Sequence, residues 1–243
     1  MELTFLGTGD AFGSGGRLQA CISVRVAGFH ALLDCGATSL IALRRAGIDP
    51  ASVDAVLVSH FHADHFGGLP LLVLDAQFTK RTRPLAVAGP PGVAARAAEQ
   101  MEVAFRGSSR TAQRFEVTYH ELGPSATAIG PLAVRGIPVV HTPGSEAIGL
   151  RIDADGAALA YSGDTEWTPA LTTLADGADL LIAEAYSFEK TIPYHLSYRA
   201  LMKHRADLRA RRIVLTHLGP EVLGRLGDLE LEHAADGTSL ILA

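Results

Sequence analysis

The sequence predicts an α/β fold built from many short elements. Apolar segments of strand length alternate with helical segments along the whole chain, which is the pattern of mixed α/β domains. Neither an internal repeat nor a low-complexity linker interrupts this alternation, so residues 1–243 are expected to form one domain. Ligand-type side chains also follow several predicted strands, at the position where sites in such folds usually form.

The composition agrees with one sizeable core. The 243 residues are 48% hydrophobic and carry a net charge of −5, which argues against a broadly basic nucleic-acid-binding surface. Cys21 and Cys35 lack the paired spacing of a thiolate zinc site and are expected to be buried and reduced. Residues 1–4 carry no basic region of a signal peptide, and the apolar runs are too short to cross a bilayer. A cytoplasmic protein without membrane contact is therefore expected.

The first half of the chain is predicted to contain four strands and three helices. Gly47 and Pro50 end the first helix, and the third begins after the Gly-Pro-Pro-Gly turn at 89–92. The apolar run 55–59 predicts a strand that stops at a dense polar cluster. The predicted strands are 3–6, 20–26, 30–34 and 55–59, and the predicted helices are 39–46, 67–78 and 93–105.

The second half is predicted to be richer in strands. Its apolar runs are compact and separated by turns, and only short stretches have helical character. The predicted strands are 115–122, 132–140, 148–152, 157–161, 180–185, 213–216 and 239–242, and the predicted helical segments are 169–175 and 197–204.

A dense cluster of metal-capable side chains occupies residues 60–65, His-Phe-His-Ala-Asp-His. In an extended segment residues two apart point the same way, so His60 and His62 can hold one ion. A turn at Phe66-Gly67-Gly68 would then let Asp64 and His65 face a second position. Imidazole and carboxylate ligands suit zinc and also manganese or iron. The alternative, a solvated polar loop, is disfavoured by the tight packing of four such residues after an apolar strand.

Three further ligand-type residues each follow a predicted strand, namely His141, Asp164 and His217. Taken alone, each could be an ordinary loop residue. Because side chains at the ends of several strands converge on one edge of a layered fold, their shared position favours one common metal site.

These segments resemble the metallo-β-lactamase-fold hydrolases, from residues 5–9 (Phe-Leu-Gly-Thr-Gly) to His217. The resemblance implies a four-layer αββα sandwich with the site at the edge of the sheets. It implies that one metal ion is held by His60, His62 and His141, the other by Asp64, His65 and His217, and that Asp164 bridges them. Asp34, in Leu-Leu-Asp-Cys-Gly, matches a position that supports the ligands from behind.

Within that superfamily the chain is most similar to the ribonuclease Z-like phosphodiesterases. Residues 6–9, Asp34, Glu184 and His195 stand where that branch carries similar residues. The resemblance implies that His195 lies near the scissile phosphate, with Glu184 fixing its ring. Asp64, His195 and Glu184 are accordingly the catalytic candidates. The alternatives are that His195 caps the following helix and that Glu184 closes a structural salt bridge.

Two departures argue against tRNA processing. The tRNA-processing members carry a long, flexible, basic arm between the residues that match His141 and Asp164, whereas residues 142–163 leave room only for a short hairpin. The block after Glu184 also reads Tyr-His-Leu-Ser instead of a His-Ser-Thr-like sequence.

The function predicted from these residues is that of a dinuclear metal-dependent hydrolase, in which a hydroxide held between the ions attacks a phosphodiester. Zinc is the preferred metal. A cyclic nucleotide or a short oligonucleotide is the preferred substrate, tRNA is not expected, and a homodimer is left open. One alternative is a lactone, thioester or sulfate-ester hydrolase on the same fold, since Thr-Pro-Gly-Ser at 142–145 is reminiscent of a thioesterase-like branch. The other is a metal-stabilised binding module without turnover.

Overall fold

The computed structural model describes residues 1–242 and contains two seven-stranded mixed sheets. The strands of the first half are β1 (Glu2–Gly7), β2 (Cys21–Val26), β3 (Phe29–Leu33), β4 (Ala55–Leu57), β5 (Leu85–Gly89) and β6 (Val117–Glu121). Those of the second half are β7 (Thr127–Ile129), β8 (Leu132–Pro138), β9 (Ile148–Ala154), β10 (Ala157–Tyr161), β11 (Leu180–Glu184), β12 (Arg212–Thr216), β13 (Glu232–His233) and β14 (Ser239–Ile241).

The two sheets share one plan. The first has the order β14-β1-β2-β3-β4-β5-β6 and the second the order β13-β12-β11-β10-β9-β8-β7. In the first sheet β3, β4, β5 and β6 are parallel neighbours, and in the second β10, β11, β12 and β13 are. The remaining pairs are antiparallel. Parallel strands end at the same edge of a sheet, so each sheet presents a row of strand ends.

Period-two alternation places the two sheets face to face. On β2 Ile22 and Val24, and on β9 Leu150 and Ile152, lie in the core between the sheets. The intervening residues of the central strands face outward, as Val56 of β4 does. Because successive side chains of a strand point to opposite faces, one short apolar strand can contribute both to the core between the sheets and to the core between a sheet and its helices.

Helices cover both outer faces. They are α1 (Ser39–Arg45), α2 (Ala63–Phe66), α3 (Leu69–Phe78), α4 (Val93–Ala104), α5 (Ala170–Ala175), α6 (Tyr198–Lys203) and α7 (Pro220–Leu223). The first four pack on the first sheet and the last three on the second. On α4, Val93, Ala97 and Met101 recur every fourth residue and form the buried stripe. This arrangement confirms the predicted αββα sandwich.

Several short elements differ from the sequence prediction. Strands β5, β7 and β13 and helix α7 have no predicted counterpart. The predicted helix 67–78 begins at Leu69, and the short helix α2 precedes it. Within residues 1–242, no helix combines the length and apolarity needed to cross a membrane.

Candidate metal centre

The predicted site residues converge on the edge where the two sheets meet. Asp34 follows β3, Asp164 follows β10, and His217 follows β12. His60 lies three residues beyond β4 and His141 three residues beyond β8, while Glu184 is the last residue of β11. The sheet topology therefore gathers residues that lie more than 180 positions apart in the chain.

One group of donors comprises His60, His62 and His141, with one ring nitrogen of each within 4.8 Å of the others. The Nε2 atom of His141 lies 3.1 Å from Nδ1 of His62, and Nδ1 of His141 donates a hydrogen bond to the carbonyl of Tyr194 at 2.8 Å. Burial lowers the pKa of all three imidazoles, and the Asp164 carboxylate offsets this only in part. Neutral rings with free lone pairs are the form in which histidine binds metal.

The second group comprises Asp64, His65, Asp164 and His217, again with donor atoms within 4.8 Å. The Nε2 atom of His65 lies 3.3 Å from Oδ2 of Asp64 and 3.2 Å from Oδ1 of Asp164. The Nε2 atom of His217 lies 3.3 Å from Oδ2 of Asp64 and 3.5 Å from Oδ2 of Asp164. Two carboxylates and two imidazoles thus face one another in a buried space.

The electrostatics of this second group call for positive charge. Burial raises the pKa of both Asp64 and Asp164, but the neighbouring histidines outweigh it and leave both values below normal. Burial lowers the pKa of His65 and His217, but the carboxylates outweigh it and leave both values raised. The two buried carboxylates therefore stabilise the protonated form of the neighbouring histidines. A divalent cation would supply the same positive charge in place of those protons.

The local backbone explains how adjacent residues reach two groups. The amides of His65 and Phe66 donate to the carbonyl of His62 at 3.0 and 2.9 Å, so α2 begins directly after His62. The chain therefore turns at residue 63, where α2 begins, and not at 66–68 as predicted. The turn places Asp64 and His65 in the second donor group and leaves His60 and His62 in the first, with the rings of His60 and His65 4.2 Å apart.

Asp34 supports the centre from behind. It has a positive φ of 59°, and its fully buried carboxylate accepts from Nδ1 of His65 at 2.7 Å and from the Tyr161 hydroxyl at 2.8 Å. The amide and hydroxyl of Ser59 donate to it at 2.7 and 2.9 Å. These bonds fix the ring of His65 with Nε2 directed at Asp64 and Asp164.

Glu184 and His195 form a pair beside the second group. The Nδ1 atom of His195 lies 3.1 Å from Oε2 of Glu184 and 3.8 Å from Oδ2 of Asp164. Burial, with the charge of Asp164, raises the pKa of Glu184 well above its usual value. Glu184 also accepts from the amides of Thr165 and Leu196. The helix-capping alternative for His195 does not match the structure, because the Ser197 side chain caps α6 by accepting from the Ala200 amide at 3.1 Å.

The residues present fit a bound divalent metal. Among residues 1–242, four buried atoms of the centre have no hydrogen-bond partner: His60 Nε2, His65 Nε2, Asp164 Oδ1 and His217 Nδ1. Unpartnered buried polar atoms are costly and rare. A cation held by the second donor group would satisfy His65 Nε2 and Asp164 Oδ1, which lie 3.2 Å apart. The set holds imidazoles and carboxylates but no thiolate, since both cysteines are free and buried elsewhere, as predicted.

Some contributors to the site carry no clear sequence signal. The ring of Tyr186 lies against that of His195, with centroids 4.7 Å apart. Its position two residues after Glu184 in the sequence could have indicated that it lies near the site. The Thr142 hydroxyl lies 3.1 Å from Nε2 of His62. Tyr194 contributes through its backbone carbonyl, which no residue pattern reveals.

Comparisons with known proteins place the chain in a family. A family model described as anti-Pycsar protein Apyc1 matches residues 1–230. The ribonuclease Z of Mycobacterium bovis (strain BCG / Pasteur 1173P2) is 31% identical over 247 residues, covering 91% of this chain and 87% of that protein.

Solved structures agree on the fold. Human tRNase Z, short form (ELAC1), superposes with a TM-score of 0.81 at 24% identity over 100% of both chains. The metallo-β-lactamase fold protein YhfI from Bacillus subtilis superposes with a TM-score of 0.80 at 18% identity over 98% of both chains. Since the family model spans nearly the whole sequence, the chain belongs to the Apyc1 family of metallo-β-lactamase-fold proteins, with ribonuclease Z among its relatives.

Proposed function

We propose that the protein is a metal-dependent hydrolase of phosphodiesters. The observation that carries the proposal is the meeting of two donor groups and a histidine–glutamate pair around Asp164. The relationship to ribonuclease Z at 31% identity supports the phosphodiester over other esters.

We assign the first ion to His60, His62 and His141, and the second to Asp64, His65 and His217, with Asp164 contacting both. The Asp164 carboxylate acts on the pKa values of histidines in both groups, which supports a bridging position. Two divalent ions, preferably zinc, would supply a hydroxide nucleophile at neutral pH and positive charge to balance the phosphate oxygens.

The proton chemistry falls to His195. Its Nδ1 is held by the buried Glu184 carboxylate, while Nε2 makes no hydrogen bond to any residue of 1–242. Glu184 thereby orients the ring, so that Nε2 can donate a proton to the leaving alkoxide.

We propose a small nucleotide diester as the substrate, such as a cyclic nucleotide or a short oligonucleotide. The net charge of −5 supports this choice, because a protein without a basic surface must bind an anionic substrate locally, at the metal ions and a few side chains.

An activity screen on metal-reconstituted protein tests the proposal. Phosphodiester, lactone, thioester and sulfate-ester substrates should be compared at equal concentration, with Asp164→Asn as the matched inactive protein. We expect turnover of phosphodiesters that chelation abolishes. Turnover confined to one of the other esters would replace the proposal, and no turnover of any ester by fully metallated protein would favour a binding module.

A further inference from the structure

The backbone of His217 has a strained conformation. Its φ is +55°, in the left-handed region that residues other than glycine seldom adopt. Such a conformation persists only where the surrounding structure fixes it. Because the buried ring of His217 faces Asp64 and Asp164 through Nε2, the contacts that hold its backbone also decide where this donor atom lies.

One of these contacts crosses from the second sheet to the first. The amide of His217, which directly follows β12, donates a hydrogen bond to the carbonyl of Thr8 at 3.0 Å. Thr8 directly follows β1 and is fully buried. The position of His217 therefore depends on the position of Thr8.

Thr8 is held in turn by Asp236, in the loop between β13 and β14. The Oδ1 atom of Asp236 accepts from the amide and the hydroxyl of Thr8 at 2.9 and 2.7 Å, and its Oδ2 atom accepts from the amide of Leu18 at 2.8 Å. The guanidinium of Arg17 donates to the Thr8 hydroxyl at 2.9 Å and to the carbonyl of Ala234 at 2.6 Å. Hydrogen bonds to an ionised carboxylate are stronger than those between neutral groups, so Asp236 is the main restraint on Thr8.

We propose that Asp236 is a positioning residue of the metal centre, an inference that rests on the proposed two-metal function. Its carboxylate fixes Thr8, and the Thr8 carbonyl fixes the backbone of His217. Groups that orient a ligand from behind typically change metal affinity by roughly 10–100-fold. The effect should be confined to the second ion, because His217 belongs to the second donor group and not to the group of His60, His62 and His141. A residue that only fastened the loop would affect both ions alike.

The zinc affinity of Asp236→Ala tests this role. Metal-free wild type and variant are dialysed against a series of buffered zinc concentrations, bound zinc is measured by elemental analysis, and circular dichroism confirms that each protein is folded. We expect Asp236→Ala to bind one ion as the wild type does and the other roughly 10–100-fold more weakly. Asp236→Asn should weaken the same ion by a smaller factor, because its neutral Oδ1 still accepts from Thr8, but less strongly.

Asp49→Ala is the matched control. Asp49 is also exposed and also accepts a backbone amide, that of Ala51 at 2.9 Å. It belongs to the turn that precedes β4, whereas His60 follows the other end of that strand. We expect Asp49→Ala to lower the midpoint of urea unfolding and to leave the affinity for both ions unchanged.

The possible results separate this inference from the proposed function. If the wild type binds two zinc ions and Asp236→Ala binds both with unchanged affinity, the positioning role is refuted. Equal weakening of both ions would also refute it. If Asp236→Ala does not fold, Asp236→Asn decides, and wild-type affinity for both ions in that variant refutes the role. Hydrolysis of bis(p-nitrophenyl) phosphate by the wild type measures the proposed function separately. Binding of fewer than two zinc ions by the wild type would overturn both the two-ion assignment and the role of Asp236.

Discussion

The side chain of His195 is 23% exposed, whereas those of Glu184 and Asp164 beside it are 1% and 3% exposed. A side chain that transfers a proton to the substrate must be accessible to the substrate, whereas a side chain that only orients the proton donor need not be. This difference supports separate roles for His195 and Glu184 within the same hydrogen-bonded pair.

His195→Ala should lower phosphodiester turnover by roughly 10²–10⁴-fold, the usual contribution of a general acid. Metal content should not change, because His195 is outside the assigned ligands. The loss should shrink for nitrophenyl esters, whose leaving group scarcely needs a proton. The measurement is turnover of both proteins on diesters with a range of leaving-group pKa. Parallel plots for the two proteins would remove His195 from the mechanism.

Asp164→Ala should be the most damaging change of a single ligand. In the proposed centre it removes a contact to both ions, and it leaves His65 and His217 without one of the two carboxylates that face their Nε2 atoms. We expect less bound metal and turnover near the detection limit. Elemental analysis and activity assays check this, with Asp153→Ala, in the ion pairs of β9, as the matched control. Wild-type turnover in Asp164→Ala would show that the bridging assignment is wrong.

At the level of elements, the position of α2 depends on its contact with the loop that follows β3. The carbonyls of Ala63 and His65 accept from the amides of Ala37 and Cys35 at 3.2 and 2.7 Å. The contact is close because Gly36 has no side chain, and a Cβ atom there would lie 2.2 Å from the Asp64 carbonyl oxygen. This loop also carries Asp34. The same contact therefore fixes the positions of Asp64 and His65 on α2 and of Asp34, which holds the ring of His65.

Gly36→Ala should therefore push α2 away from the loop and weaken metal binding. We expect a loss of about 1–3 kcal/mol in the free energy of unfolding, the usual cost of overpacking, together with reduced zinc content. Urea unfolding and elemental analysis measure the two effects. Gly227→Ala is the control, since a Cβ there meets no atom within 4 Å. Unchanged stability and metal content in Gly36→Ala would mean that α2 tolerates displacement.

An element could be predicted from the sequence when its own residues carry the pattern typical of that element. Strands β2 and β9 alternate apolar residues with polar residues or glycine over five or more positions and were predicted. The strand β5 reads Leu-Ala-Val-Ala-Gly and has no such alternation. The two-residue strand β13 exists through pairing with β12, so its stability depends on a distant partner. The αββα arrangement came from the resemblance to a family and not from these patterns.

The site was predictable to the extent that side-chain chemistry is visible in the sequence. The donors at 60–65 share one short segment, and the others follow apolar strands. The support from Ser59 and Tyr161 to Asp34 depends on the packing of the two sheets, which no local pattern encodes. The assignment of residues 1–243 to one domain stays a prediction.

At the scale of the whole molecule, charge and topology bear on substrate size. The interval 142–163 consists of a loop and the β9–β10 hairpin, with no long basic arm, and the net charge is −5. We expect no efficient cleavage of precursor tRNA, although ribonuclease Z is a relative. A cleavage assay on a precursor with a 3′ trailer checks this, using bis(p-nitrophenyl) phosphate to show that the same preparation is active. Efficient, specific removal of the trailer would contradict the expectation.

The pairing of β1 with β14 has a consequence for synthesis. The amide of Leu242 and the amino group of Met1 each bond to the other residue's carbonyl oxygen at 2.9 Å, so β1 pairs with a strand that is far from it in the sequence. While the chain leaves the ribosome, one edge of β1 stays unpaired until the residues up to β14 have been added. Contacts of such long sequence separation slow folding and prolong the exposure of unpaired strands. We therefore expect the nascent protein to depend on chaperones more than its size suggests.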